Sequence, residues 1–301
     1  MIETEEAYAK INLSLDIINK MDDGFHYIRT VMQSISLSDE ITVENVPGVG
    51  VRAGSIRVGS VRVGSNLPFL PGDERNIAAK AATAFFTYTG IAGYDTLIRI
   101  NKKIPVCAGL GGGSADGACV LRILDRMFDT RLGFEVLEKI GNSVGSDVPF
   151  CVRGGTRLAE GRGELLSELT PIPKCYTVLC KPPVSCSTPE LFGRVKCEKI
   201  RARPDTDGIV KALGTGDLRG VACRMYNVFE DVLTLGKAEV ADIKHKMIDN
   251  GALGAVMSGS GATVFGLFDN EADARKAYDK LKPEYKECFL ATTVEELGLR
   301  T

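Results

Sequence analysis

Four glycines in five positions mark the run Pro105-Val106-Cys107-Ala108-Gly109-Leu110-Gly111-Gly112-Gly113-Ser114-Ala115, which leads through Asp116 into a helical pattern. Glycine lets the backbone take positive φ and turn several N–H groups toward one point. A helix N-terminus adds unpaired donors and a partial positive charge, so the combination makes an anion site, most often for phosphate. Nucleotide binding is the first reading. A second glycine turn, Met257-Ser258-Gly259-Ser260-Gly261-Ala262-Thr263, lies toward the other end of the chain. Between residues 7 and 17 apolar and polar residues alternate, which puts Lys10 and Asn12 side by side on the polar face of a strand. A solvated edge face is the competing reading of that alternation.

Two familiar phosphate loops do not fit. A Walker A loop needs G-x-x-x-x-G-K-[ST], and Ser114-Ala115 stands where the lysine belongs. A dinucleotide fingerprint needs G-x-G-x-x-G, and counted from Gly109 the last position is Ser114. A purely structural glycine turn is the third reading.

At 301 residues the chain has room for two domains. A net charge of −2 leaves no electrostatic footprint for nucleic acid, so an anionic ligand must be held by a local site. Nine cysteines, with no C-x-x-C spacing, read as reduced thiols of a cytoplasmic protein. Met1-Ile2-Glu3-Thr4-Glu5-Glu6 is acidic and lacks the apolar stretch of a signal peptide. No apolar run reaches the ~18 residues of a membrane span.

The elements that must position these residues follow from periodicity. Residues 7–17 read as a strand with one buried side. Asp22-Asp23-Gly24-Phe25-His26 reads as a turn. Residues 51–65 hold three five-residue repeats, read as short strand pieces broken at glycines, with Arg52, Arg57 and Arg62 on a solvated edge. A helix over 77–86 stops at Gly90, and a strand over 97–100 runs into the first glycine loop. Ser114 is the expected N-cap of the helix behind that loop. A further helix covers 134–143. Beyond residue 168 come a strand at 175–180, the helix Lys237–Asp249 closed by Asn250-Gly251, the strand Gly254–Met257, a strand at 263–268, a helix at 272–281 and a strand at 288–292. That is the β-α-β-β-α-β, ferredoxin-like order. Two domains, each with a glycine turn, put the expected site in the cleft between them.

Read together, these segments carry a resemblance. Residues 105–118 resemble the phosphate loop of the GHMP small-molecule kinases. Ala7-Tyr8-Ala9-Lys10-Ile11-Asn12-Leu13 is similar to their N-terminal strand and Gly145-Ser146-Asp147-Val148-Pro149-Phe150 to their catalytic-aspartate segment. The second glycine turn is similar to their C-terminal glycine loop. Ala9-Lys10-Ile11-Asn12, Asp23-Gly24-Phe25-His26 and the first loop together resemble the branch whose acceptor is cytidine-diphosphate methylerythritol, in non-mevalonate isoprenoid synthesis. Residues 48–65 are the clearest misfit. The resemblance implies an α+β GHMP-kinase fold: a ribosomal-protein-S5-domain-2-like nucleotide domain over residues 1–168 and a ferredoxin-like substrate domain over 169–301. It implies a kinase using ATP and Mg2+, cytoplasmic, a monomer or homodimer, with no nucleic-acid or membrane partner. Another GHMP kinase, of mevalonate or homoserine type, and a non-catalytic ATP-binding regulator are the alternatives.

The same resemblance assigns roles. Phosphoryl transfer to an alcohol needs positioning, charge neutralisation and a proton acceptor. Asp147 would accept the hydroxyl proton, Lys10 would offset charge at the transferring phosphoryl, and Asn12 would hold the reacting hydroxyl. A turn or cap aspartate and a snorkelling surface lysine are the structural alternatives. Residues 105–115 would bind the ATP phosphates, with Asn66 and Lys102 on the adenine side. Asp116 would repel phosphate, so it is expected to face solvent, with help in holding Mg2+ as the alternative. Cytosine would stack between aromatics, Phe25 with His26 on one side and Phe192, beyond Thr188 and Pro189, on the other. Gly259, Ser260 and Gly261 would close on the substrate diphosphate.

Overall fold

The computed structural model describes residues 1–48, 52–53, 56–57, 59–184 and 186–297. β1 (Ile2–Lys20) pairs antiparallel along nearly its whole length with β2 (His26–Pro47), and three register shifts bend the pair. The two-residue strands β3 (Arg52–Ala53) and β4 (Ile56–Arg57) pair with each other, while β5 (Val61–Ser65) joins the main sheet. Much of the repeat at 51–65, including the side chains of Arg52 and Arg57, lies outside the described residues; Arg62 is exposed.

α1 (Ile77–Thr89) is capped by the Asn76 side chain and ended by Gly90 at φ 72°. β6 (Tyr94–Asn101) follows, then α2 (Gly112–Met127), α3 (Gly133–Asn142), α4 (Val148–Arg153), β7 (Thr156–Gly161) and β8 (Leu165–Glu168). The large sheet has the order β10-β1-β2-β6-β5, with β7 and β8 continuing from the other end of β2 and β10 (Tyr226–Asn227) supplied by the second half of the chain. Ala78, Ala82, Phe85, Leu121 and Leu124 of α1 and α2 pack on Ile41, Val43 and Ile98 of this sheet.

The second half begins with β9 (Tyr176–Lys181), α5 (Thr188–Arg194), α6 (Thr206–Gly214) and α7 (Leu218–Ala222). After β10 come α8 (Phe229–Val232), α9 (Lys237–Asp249), β11 (Gly254–Met257), β12 (Val264–Phe268), α10 (Glu271–Leu281) and β13 (Glu287–Thr292). The four-stranded antiparallel sheet has the order β11-β12-β9-β13, the ferredoxin-like arrangement expected.

β1 departs from the one-sided strand read from its pattern: Lys10, Asn12, Ser14 and Asp16 are buried as well as the apolar face. Ala9, Ile11 and Leu13 pack on Leu179, Val256 and Phe265 of the small sheet, and the glycine loops cover Lys10 and Asn12. The strand lies between the two halves, which no pattern within the strand conveys.

Candidate active site

A cavity of about 880 Å3 opens between the halves, lined by β1, both glycine loops, the turn before α4 and the start of α5. Lys10 is part of its lining. Its Nζ donates to Asn12 Oδ1 at 2.6 Å and to the Gly109 carbonyl at 3.2 Å, and stands 3.6 Å from Asp147 Oδ2. Asn12 donates through Nδ2 to Thr30 Oγ1, and its backbone N–H bonds Ser258 Oγ. These bonds fix the Asn12 side chain against Lys10.

Asp147 occupies the N-cap position of α4 yet its carboxylate caps nothing; its one described partner is Lys10. The side chain is 29% exposed, into the cavity. A cap aspartate would spend its oxygens on backbone N–H groups. Here they remain available to a ligand.

Residues 105–114 line the cavity, while Ala115 packs into the core. Gly109, at φ 75°, must be glycine on two counts, since a Cβ there would meet the Ser258 carbonyl oxygen at 2.0 Å. The first glycine loop is thus pressed against the second. The N-cap of α2 is Gly111 at φ 67°, so Ser114 lies inside the first turn instead of capping it. The left-handed glycine starts the helix earlier than a hydroxyl-cap pattern suggests. The N–H groups of Gly112, Gly113 and Ser114 precede the first intrahelical bond, from Ala115 to the Gly111 carbonyl.

Asp116 does not face solvent. It is 3% exposed, and Lys102 Nζ bridges it, at 2.9 Å, to Asp39 on β2. Asp39 also accepts the N–H groups of Lys103 and Ile104, so the cluster braces the entry of the first loop against α2. Burial pushes Asp116 up to about 7, against the opposing pull of Lys102. The Lys102 ammonium is therefore engaged, although its side chain lines the cavity. Asn66 does not line it; its amide clips onto the backbone of Lys102. Sequence reasoning missed Leu70, Pro71, Arg75, Asn76 and Ile77, which wall the cavity beside the first loop. The Pro71-Gly72 turn and the Asn76 cap were their only signals.

At the other end Thr188, Pro189, Phe192, Gly259 and Ser260 line the cavity, and the Thr188 and Ser260 hydroxyls lie 2.7 Å apart. Gly261 is outside the lining but bonds the Ser258 carbonyl. The aromatic pair expected around a base is arranged otherwise. The His26 ring stacks directly on Phe192, centroids 5.0 Å apart, and a base between two rings needs a gap of roughly 7 Å. Phe25 is 54% exposed and carries the Arg162 guanidinium over its ring at 4.6 Å. Burial, reinforced by the charge of Lys20, holds the His26 imidazole below its ordinary value. Arg162 also lines the cavity beside Asp147; its flanking glycines, Gly161 and Gly163 at φ 74° and 115°, were the legible sign of a specialised turn.

No group of three or more His, Cys, Asp or Glu side chains able to hold a metal ion occurs among the described residues.

Residues 76–155 match the model of the GHMP kinases N terminal domain, and residues 209–287 that of the GHMP kinases C terminal. A protein of Clostridium botulinum (strain Alaska E43 / Type E3) named 4-diphosphocytidyl-2-C-methyl-D-erythritol kinase is 40% identical over 292 residues, covering 96% of this chain and 99% of its own length. The chain belongs to the GHMP kinases, in the 4-diphosphocytidyl-2-C-methyl-D-erythritol kinase family. A relative of the same name from Acetivibrio thermocellus is 41% identical over 289 residues, 96% of this chain and 98% of its own. A crystal structure of a 4-(cytidine 5'-diphospho)-2C-methyl-D-erythritol kinase superposes with a TM-score of 0.79 at 28% identity, over 97% of this chain and 99% of that one. The L. major mevalonate kinase, at TM-score 0.72 and 20% identity over 97% and 96% of the two chains, shows the fold alone. The N-terminal GHMP match takes in the first glycine loop and Asp147, and the C-terminal match takes in the second loop. No helix among the described residues is long and apolar enough to cross a membrane, and none of the nine cysteines is in a disulfide.

Proposed function

We propose that this chain transfers the γ-phosphoryl group of ATP to the 2-hydroxyl of 4-diphosphocytidyl-2-C-methyl-D-erythritol, giving the 2-phosphate and ADP, as a cytoplasmic enzyme of non-mevalonate isoprenoid precursor synthesis. The observation that carries it is the placement of Lys10 within 3.6 Å of Asp147 and 3.2 Å of the first glycine loop, in a cavity also lined by the second half. The names of relatives at about 40% identity over nearly the whole chain support the same substrate.

In this reading the first glycine loop and the start of α2 hold the phosphates through backbone N–H groups. Asp147 takes the proton of the 2-hydroxyl as its oxygen bonds to the γ-phosphorus and the bridging bond to ADP breaks. Asn12 orients that hydroxyl, and Lys10 offsets the charge on the transferring group. Mg2+ would neutralise charge on the ATP phosphates, which bring it to the site. Thr188 and the second glycine loop take the acceptor diphosphate, and its base lies against the Phe192–His26 stack and the Arg162–Phe25 pair. In this division residues 1–168 form the ATP-binding and catalytic domain, which also reaches the acceptor through Asn12, Phe25, His26 and Arg162, and residues 169–301 form the substrate-binding domain.

Incubation with Mg-ATP and, separately, this alcohol, mevalonate or homoserine tests the assignment, with phosphorus NMR of the product. A new monophosphate ester from the cytidine-diphosphate alcohol alone is expected. A product from mevalonate or homoserine instead would move the chain to another branch of the GHMP kinases.

A further inference from the structure

Asn227 is fully buried on β10, where Leu15 of β1 pairs with it. A buried amide is costly unless its groups are bonded, and all three bonds it makes here are to backbone. Its Nδ2 donates to the Met257 and Gly259 carbonyls, both at 2.8 Å, and its Oδ1 accepts the Phe229 N–H at 3.0 Å. Glu230 grips the same segment from α8, accepting the Met257 N–H at 2.8 Å while Lys244 holds its other oxygen.

The direction of those bonds has a geometric consequence. In a trans peptide the carbonyl and the following N–H point opposite ways, and the bond from Gly259 to Ser260 is trans. Asn227 draws the Gly259 carbonyl inward, so the Ser260 N–H points outward. Ser260 lines the cavity, its N–H finds no acceptor among the described residues, and its hydroxyl sits beside that of Thr188. Gly259 is at φ 54°, a conformation the two bonds from Asn227 help to hold.

We infer that Asn227 is a positioning residue for acceptor binding, which fixes the Gly259–Ser260 peptide so that the Ser260 N–H is aimed at the acceptor's diphosphate. The inference rests on the reading of the second glycine loop as the acceptor subsite. Because β10 pairs with the strand that carries Lys10 and Asn12, one strand pair sets both the reacting groups and this donor.

The test is calorimetric binding of cytidine diphosphate and, separately, ATP to the wild type and to Asn227→Asp. That variant keeps the shape and the acceptor for Phe229 but replaces the NH2 group that serves two carbonyls with an oxygen that can donate to one at most. Cytidine diphosphate affinity should fall about tenfold or more, the scale of one hydrogen bond to a charged group, with ATP affinity unchanged. Equal weakening of both ligands, or of neither, would overturn the positioning role, since a merely structural residue would not separate them. Should Asn227→Asp fail to fold by circular dichroism, Asn227→Ala is read by the same criterion. Wild type that binds ATP but no cytidine diphosphate would remove the acceptor-subsite reading, and this inference with it.

Discussion

Lys10 Nζ stands between two groups that come from distant parts of the chain, 3.6 Å from the Asp147 carboxylate and 3.2 Å from the Gly109 carbonyl. The lysine thereby ties the proposed base to the phosphate loop. With only 5% of its side chain exposed, its charge is screened little by water. Replacing it by Gln should lower kcat on the order of 10²–10³-fold, the usual effect of removing one preorganised charge-stabilising group. Steady-state kinetics decide: undiminished kcat would make Lys10 structural.

Gly109→Ala should damage both loops at once. The new methyl group would meet the Ser258 carbonyl oxygen at 2.0 Å, in a backbone conformation with φ 75°. The left-handed conformation alone costs a non-glycine residue about 1–2 kcal/mol, and overpacking adds about as much. Urea denaturation should show that loss, and ATP binding should weaken with it. A variant of wild-type stability and affinity would contradict the close approach of the two loops.

Asp116 gives the chain a pH signature. Its folded value, raised by burial to about 7 from 3.8, means that the folded state holds the proton more tightly than the unfolded chain does. Stability from this group is therefore present at low pH and falls as pH rises from about 4 to about 7. Asp116→Asn lacks that slope. Its stability relative to wild type should climb across that interval and level off above it, as followed by denaturant titrations at several pH values. A difference independent of pH would contradict a buried Asp116 that holds its proton more tightly in the folded state than in the unfolded chain.

Arg162 lines the cavity and covers the Phe25 ring, at the end proposed for the acceptor, at 4.6 Å. A cation over an exposed ring contributes about 0.5–1 kcal/mol, and a bond to a ligand adds to that. Arg162→Ala should raise the acceptor KM roughly tenfold while the ATP KM stays unchanged. A rise in the ATP KM instead would place Arg162 at the nucleotide.

Local signals made much of the fold legible and left the site half read. The helix Lys237–Asp249 and the strand Gly254–Met257 match their sequence reading because a glycine stop and an apolar run bound them. Ser114 misled because a left-handed Gly111 starts the helix first. Asp116 misled for another reason: its partners Lys102 and Asp39 come from other elements, and without them a carboxylate beside a phosphate loop reads as solvated. His26 and Phe192 were both named from the sequence, but their mutual stacking depends on how the turn after β1 meets α5, which spacing does not encode.

The proposed mechanism turns on Asp147 accepting the proton of the acceptor's hydroxyl. Its most direct test is ADP release from Mg-ATP by wild type and Asp147→Asn, with and without 4-diphosphocytidyl-2-C-methyl-D-erythritol. Wild type should release ADP only with the alcohol, and the variant should bind both ligands yet lose turnover on the order of 10²–10⁴-fold. Undiminished turnover in Asp147→Asn would contradict the account.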